Sequence, residues 1–377
     1  MPRSNITRAG VFSVQALGRL LTRLSIIAII AAVARYGVAA APPAAIDAQS
    51  GSIQRYDDVQ ALASNGKVMV AGTQSGAVLV SHDQGKTWQR HELAPDSVIP
   101  PSIIGLAACR DGRFIGIDFN HKLWSGDALG ANWLGHVMAK PAIPLAVACD
   151  PDNGWWVVGD RATIAGSRDA GGSWTVTDLG EDAQLTTLQF QDDSHGIATG
   201  EFGIVVVTSD GGKTWNRGNK VPAEFYPYSA IFLNKDEGWL SGVGGQIVHT
   251  SDGGRNWTMQ SNEAQVPLFR LFLHQGMPYG VGTDGVVARL EGDTWRRVEY
   301  AGELHQLFVA GISTESDSAI VIGGPGGLLR ALSLATSEPL SAPDKTASQK
   351  VPARLAPPVG EVRWLHLSSN RRTGAVS

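Results

Sequence analysis

Apolar and polar positions along this chain fall into short repeating blocks. Seven times, two brief runs rich in valine, isoleucine and leucine flank a few turn-forming residues. They are VMVAGTQSGAVLVS (68–81), FIGIDFNHKLWSG (114–126), WWVVGDRATIAGS (155–167), GIATGEFGIVVVT (196–208), GWLSGVGGQIVHT (238–250), PYGVGTDGVVARL (278–290) and AIVIGGPGGLLRAL (319–332). Runs of this kind, bounded by glycine-bearing turns, predict paired β-strands. Behind six of the pairs comes a polar, glycine-rich stretch that ends in tryptophan. SHDQGKTW (81–88), SRDAGGSW (167–174), TSDGGKTW (208–215) and TSDGGRNW (250–257) are close copies; SGDALGANW (125–133) has one extra residue, and ARLEGDTW (288–295) has Leu290 where the others have aspartate. The tryptophans fall at 88, 133, 174, 215, 257 and 295, in steps of 45, 41, 41, 42 and 38.

Self-similarity at about 40 residues is the spacing of four-stranded propeller blades. The expected fold is all-β: a seven-bladed β-propeller of four-stranded antiparallel blades over residues 52–334. The octamer has a hairpin's logic. Glycine supplies positive φ, the aspartate accepts backbone N–H groups of its own turn, and the tryptophan buries a large ring beside it. Asp83, Trp88, Asp127, Trp133, Asp169, Trp174, Asp210, Trp215, Asp252, Trp257 and Trp295 are therefore expected to be structural, with no acid–base role.

This octamer is similar to the Asp-box, or BNR repeat, of sialidases and related propellers. The fuller unit, seen as GWWVVGDRATIAGSRDAGGSW, GIATGEFGIVVVTSDGGKTW and GWLSGVGGQIVHTSDGGRNW, resembles the photosystem II stability/assembly factor family over roughly residues 56–334. That resemblance implies a non-enzymatic, seven-bladed lumenal scaffold that holds a membrane-protein assembly intermediate, with relatives in non-photosynthetic bacteria. It also implies an arginine-rich binding patch, for which only Arg161 and Arg270 are candidates here.

Composition narrows the setting. The net charge is −4, but Arg3, Arg8, Arg19, Arg23 and Arg35 lie in the first forty residues with no acidic residue among them. Their removal leaves 26 basic against 35 acidic side chains, which argues against a nucleic-acid footprint. The basic stretch leads into LSIIAIIAAVA (24–34) and then VAAAPPAA, the pattern of an export signal over residues 1–40 and too short to span a bilayer. The expected location is the periplasm, or the thylakoid lumen in a phototroph. Residues 335–377, rich in proline, serine and alanine, read as a flexible tail. Cys109 and Cys149 are expected as buried free thiols, with a disulfide, which export permits, as the alternative. The seventh pair lacks an outer strand. Residues 52–56 are the expected donor and EVRWLHL (361–367) the competitor.

Chemistry is sparse. The nine histidines and two cysteines show no metal-ligand spacing, so neither metal nor cofactor is expected. A sialidase-like glycoside hydrolase is the alternative reading. It would need three converging arginines and a tyrosine nucleophile, and only Arg161 and Arg270 are placed to face the mouth of the ring. Binding remains, on the face opposite the Asp boxes. There Asn120, His121, Asp160, Arg161, Glu201, Phe202, Arg270 and Asp284 should surround the axis. The connections LAPDSVIPPSI and RGNKVPAEFYPYS should add apolar contact, the second through Phe225, Tyr226 and Tyr228. The expected partner is a protein, the expected state a monomer, with no catalytic residues.

Overall fold

The computed structural model describes residues 53–222 and 224–335. Among them there is no α-helix; the chain is a succession of antiparallel meanders. Blade 1 comprises β1 to β4 (Val59–Ser64, Met69–Thr73, Ala77–Ser81, Gln89–Glu92) and blade 2 β5 to β8 (Ile103–Ala108, Phe114–Asp118, Lys122–Gly126, Leu134–Val137). Blade 3 is β9 to β12 (Pro144–Cys149, Trp155–Gly159, Thr163–Ser167, Thr175–Asp178) and blade 4 β13 to β16 (Leu185–Phe190, Gly196–Gly200, Val205–Thr208, Asn216–Arg217). Blade 5 is β17 to β20 (Pro227–Phe232, Gly238–Gly242, Ile247–Thr250, Thr258–Asn262) and blade 6 β21 to β24 (Leu268–His274, Met277–Gly282, Val287–Glu291, Thr294–Arg297). Blade 7 has three strands, β25 to β27 (Ala310–Ser313, Ala319–Gly324, Leu328–Ser333).

The second strand of each blade is buried along nearly its whole length, so both of its faces are apolar and both need cover. Seven hydrophobic clusters supply it, each drawn from two consecutive blades. One joins Val59, Leu62 and Met69 of blade 1 to Ala310 and Val321 of blade 7, which closes the ring. The chain folds as a β-propeller with its first strands innermost.

The Asp boxes are the turns between third and fourth strands. In each of the five full boxes an aspartate oxygen accepts the backbone N–H four residues on: Thr87, Ala131, Ser173, Thr214 and Asn256. Four of these residues also donate from their own side chains to the same carboxylate, as Thr214 does at 2.6 Å. These bonds hold the Asp169 and Asp210 carboxylates down at about 2, through the hydroxyls of Ser173 and Thr214 first and their backbone N–H groups next. The tryptophans reach further than their own hairpins. Trp88 packs in the cluster shared with blade 7, Trp215 in that shared with blade 3, and Trp257 in that shared with blade 4. The box glycine has a matching duty: Gly212 takes φ 83°, and a Cβ there would overlap the Trp156 ring of the preceding blade. In blade 6 the decayed box is a two-residue hairpin at Gly292–Asp293, and Gln260 Oε1 accepts the indole N–H of both Trp295 and Trp239.

Two expectations need correction. Cys109 and Cys149 form a disulfide, with Cα atoms 5.2 Å apart. They end the innermost strands of blades 2 and 3, which lie side by side near the axis, so their positions do not splay apart as outer strands do. Residues 53–56 form no closing strand. The buried Asp57 carboxylate accepts the Gln54 N–H and pairs with Arg90 at 2.6 Å, which bends this segment into a turn against blade 1. The end of β27 is instead met by the 298–309 connection: Leu334 bridges Tyr300, Ala301 donates to the Ser333 carbonyl and Ala335 to the Glu299 carbonyl. That connection is also longer than either of the two singled out in the sequence. The signal segment 1–40, the tail 336–377 and EVRWLHL lie outside the described residues.

Replacing both cysteines by alanine should lower the unfolding free energy by about 3 kcal/mol, because the bridge closes a loop of 40 residues. Urea titration with and without reductant checks this; equal midpoints would show that the bridge does not form. The box carboxylates give a pH dependence. Their folded pKa lies below the unfolded one, so their stabilisation is complete above about pH 4 and is lost as pH falls towards 2. Thermal melts of Asp169→Asn/Asp210→Asn protein should show a shallower loss across that window than the parent.

Candidate binding face

The face opposite the boxes is built from the turns between second and third strands and from the connections between blades. Each of these turns enters the left-handed region, once in blades 1 and 2, at Gly76 and His121, and at two successive residues in the others: Arg161–Ala162, Phe202–Gly203, Gly244–Gly245, Asp284–Gly285 and Gly326–Gly327. Glycine adopts that conformation freely, whereas a side-chain-bearing residue costs about 1 kcal/mol. Blades 2, 3, 4 and 6 nonetheless carry His121, Arg161, Phe202 and Asp284 there, all exposed. Strain of this kind, kept where glycine fits, points to a use for the side chain.

The residue before the apex is committed to the frame in blades 3 and 4. Asp160 Oδ1 accepts the Ile143 N–H at 2.8 Å and Glu201 Oε2 accepts the Gln184 N–H at 3.0 Å. Each bond fixes the connection that enters the inner strand of the same blade. Asn120 is exposed, with its N–H held by the buried carboxylate of Asp118. Asp284 contacts His305 at 3.1 Å, over a shallow pocket that Arg297, Tyr300 and Glu303 also line.

Blades 4 to 6 bring aromatic rings together at the mouth. Phe202 meets Tyr226 edge-on with centroids 5.2 Å apart, and Tyr228 meets Phe269 at 4.9 Å. Burial, with the charges of Glu201 and Glu224 behind it, raises the Tyr226 pKa; burial alone raises that of Tyr228. Arg270 follows Phe269 on the innermost strand, where the equivalent positions after the bulge in β1, β13 and β17 are Ala61, Thr187 and Ser229. Water reaches its side chain, yet the surrounding protein strips enough hydration to lower its pKa. Among the described residues, no ion pair or hydrogen bond engages its guanidinium. Phe225 does not belong to this surface. It is 1% exposed, packs in the core between blades 4 and 5, and lies against Gly242. The proline-flanked context marks a loop but does not reveal which of its aromatics turns inward. Sequence reasoning missed Phe269, whose only signal is its place beside Arg270.

Residues 172–269 match the family described as photosynthesis system II assembly factor YCF48, and residues 79–90 match the BNR/Asp-box repeat. No curated protein matches in sequence. Among solved structures, YCF48 bound to D1 peptide aligns with a TM-score of 0.60 at 15% identity, covering 76% of this chain and 96% of that one. YCF48 from Cyanidioschyzon merolae aligns at 0.58 and 14%, covering 74% and 96%. The chain resembles the photosystem II assembly factor family in sequence and in fold. The fold is also shared with virginiamycin B lyase from Staphylococcus aureus, at a TM-score of 0.62 and 13% identity over 75% of this chain and 96% of that one. At these identities the structural likenesses speak for the fold alone.

Arg161 has no partner among the described residues and takes φ 55°. Arg161→Gly should leave the unfolding free energy unchanged or raise it by about 0.5 kcal/mol, relief of strain outweighing chain entropy. A loss above about 1 kcal/mol in urea titration would mean that the side chain serves the frame instead.

Proposed function

We propose that this protein is an exported, non-enzymatic binding scaffold that holds a polypeptide partner against the face opposite the Asp boxes. The observation that carries this reading is the set of four exposed side-chain-bearing residues, His121, Arg161, Phe202 and Asp284, in the left-handed region of the mouth-side turns, a region that the turns of blades 1, 5 and 7 enter only with glycine. The aromatic pairs beside them offer the rigid amphipathic area that protein interfaces favour. The D1 peptide named with the YCF48 structure supports a polypeptide ligand on this fold. A membrane-protein assembly intermediate or an envelope complex is the partner class, in the periplasm, or in the thylakoid lumen of a phototroph. The scaffold acts as a monomer, without metal or cofactor.

A second reading, catalysis, is favoured by the lyases that share the fold and by the Asp284–His305 contact beside the pocket. The mouth offers Arg161 and Arg270 to an anionic substrate, but other arginines are tied elsewhere: Arg168 to Asp150, Arg217 to Glu181 and Arg296 to Glu263.

A photo-crosslinking amino acid at position 202, expressed in the native host, should capture one specific polypeptide. The same group at position 213, in a box on the opposite face, should not. Uncrosslinked protein at both positions would sink the scaffold reading. Turnover of a glycoside or lactone panel that disappears in Arg161→Ala would replace it with the catalytic one.

A further inference from the structure

We infer that the axial shaft binds, at its mouth-side end, a carboxylate carried on an aromatic or aliphatic body. Arg270 takes the charge, and a collar of bulged side chains takes the body. The collar follows from strand register. In six of the seven blades the innermost strand slips by one residue against the second strand, just before the mouth-side turn. The residues left without a partner are Gln60, Ile104, Leu145, Thr186, Tyr228 and Phe269. A bulge re-aims the side chain it carries. An innermost strand has its own sheet on one edge and neighbouring blades on both faces, so its open side is the axis. All six bulged residues are half-buried, whereas their neighbours Val59 and Ala61, or Leu185 and Thr187, are buried. Successive members meet: the Tyr228 and Phe269 rings lie 4.9 Å apart, and Thr186 Oγ1 donates to the Pro227 carbonyl at 3.0 Å. Four of the six are aliphatic or aromatic, which gives the collar an apolar lining.

Arg270 is the next residue inward from the collar. At that level the other blades carry Ala61, Gly105, Ala146, Thr187, Ser229 and Ala310, so one guanidinium stands among small side chains. Arg270 is exposed although its strand is innermost, which puts its side chain in the shaft. No carboxylate meets it among the described residues, and the protein around it removes part of its hydration. A guanidinium in that state gains from a carboxylate, which accepts two parallel N–H bonds in the fork geometry. One positive charge matches a monoanion. A phosphate dianion would keep an unmatched charge against rings and aliphatic groups that cannot hydrate it. A free carboxylic acid and the last residue of a polypeptide present the same chemistry. This inference goes beyond the scaffold reading and stands without it.

The test uses the full chain and two matched pairs of probes. One pair is phenylbutyrate and phenylbutyramide; the other is an acetylated Ala-Ala-Leu-Phe peptide ending in a carboxylate or in an amide. Calorimetric titration should show the acid of at least one pair binding about tenfold tighter than its amide, or better. A preference confined to the first pair assigns a free acid, and one confined to the second assigns a chain end. Arg270→Ala, which installs the side chain that blades 1, 3 and 7 carry there, should abolish the preference and leave the melting temperature unchanged or higher. Phe269→Ser should weaken acid and amide alike, by about tenfold. Equal binding of acid and amide in both pairs, or binding of neither, would overturn the inference. So would an acid preference that survives in Arg270→Ala. Capture of a partner by crosslinking at position 202, with no acid bound, would overturn this inference and leave the scaffold reading standing.

Discussion

Every blade of this protein has two oily sides, and that constraint organises the rest. A four-stranded sheet buried on both faces is not stable alone in water; it must be sandwiched. The seven clusters, each shared by two neighbouring blades, meet this demand in a circle, and the contact of Val59 with Gly323 and Val321 leaves no end blade uncovered. The Asp box joins this scheme at its corners. Its carboxylate shapes the turn, while its tryptophan and glycine reach across to the previous blade. One short motif therefore fixes both the shape of a blade and its fit to its neighbour.

Polar bonds between blades complete the frame near the axis. Gln189 exchanges two hydrogen bonds with Phe232 of the next blade, and Ser229 Oγ accepts the Leu271 N–H. Asn65 reaches the carbonyls of Gly112 and Ala128, and Arg168 that of Gly211. A frame tied at both the axis and the box side leaves the apex residues on the opposite face free to vary without disturbing it. The fold is shared with YCF48 and with virginiamycin B lyase, so the frame by itself does not set the function.

The strand pairs and boxes were legible because they are local. Alternation, turn glycines and the period between tryptophans all act within about forty residues. The apex residues were legible as members of a repeating turn, though the left-handed side chain falls last in the turn at His121 and in the middle at Arg161, Phe202 and Asp284. What escaped is set by distance in the chain. The disulfide depends on how closely two inner strands approach, and Phe225 turns inward because Gly242 leaves room for its ring. The ion pair between Asp57 and Arg90 bends the N-terminal segment away from the role of a fourth strand. None of these leaves a periodic mark.

The turn around Asp57 also fixes where the chain enters. Gly327 donates its N–H to the Asp57 carbonyl and Gly326 to the Asp58 carboxylate, so this segment joins the ring beside a turn of the mouth face. A tether attached ahead of Ile53 would pull from that side. Whatever such a leash is moored to would look onto the apex residues, with the boxes turned outward.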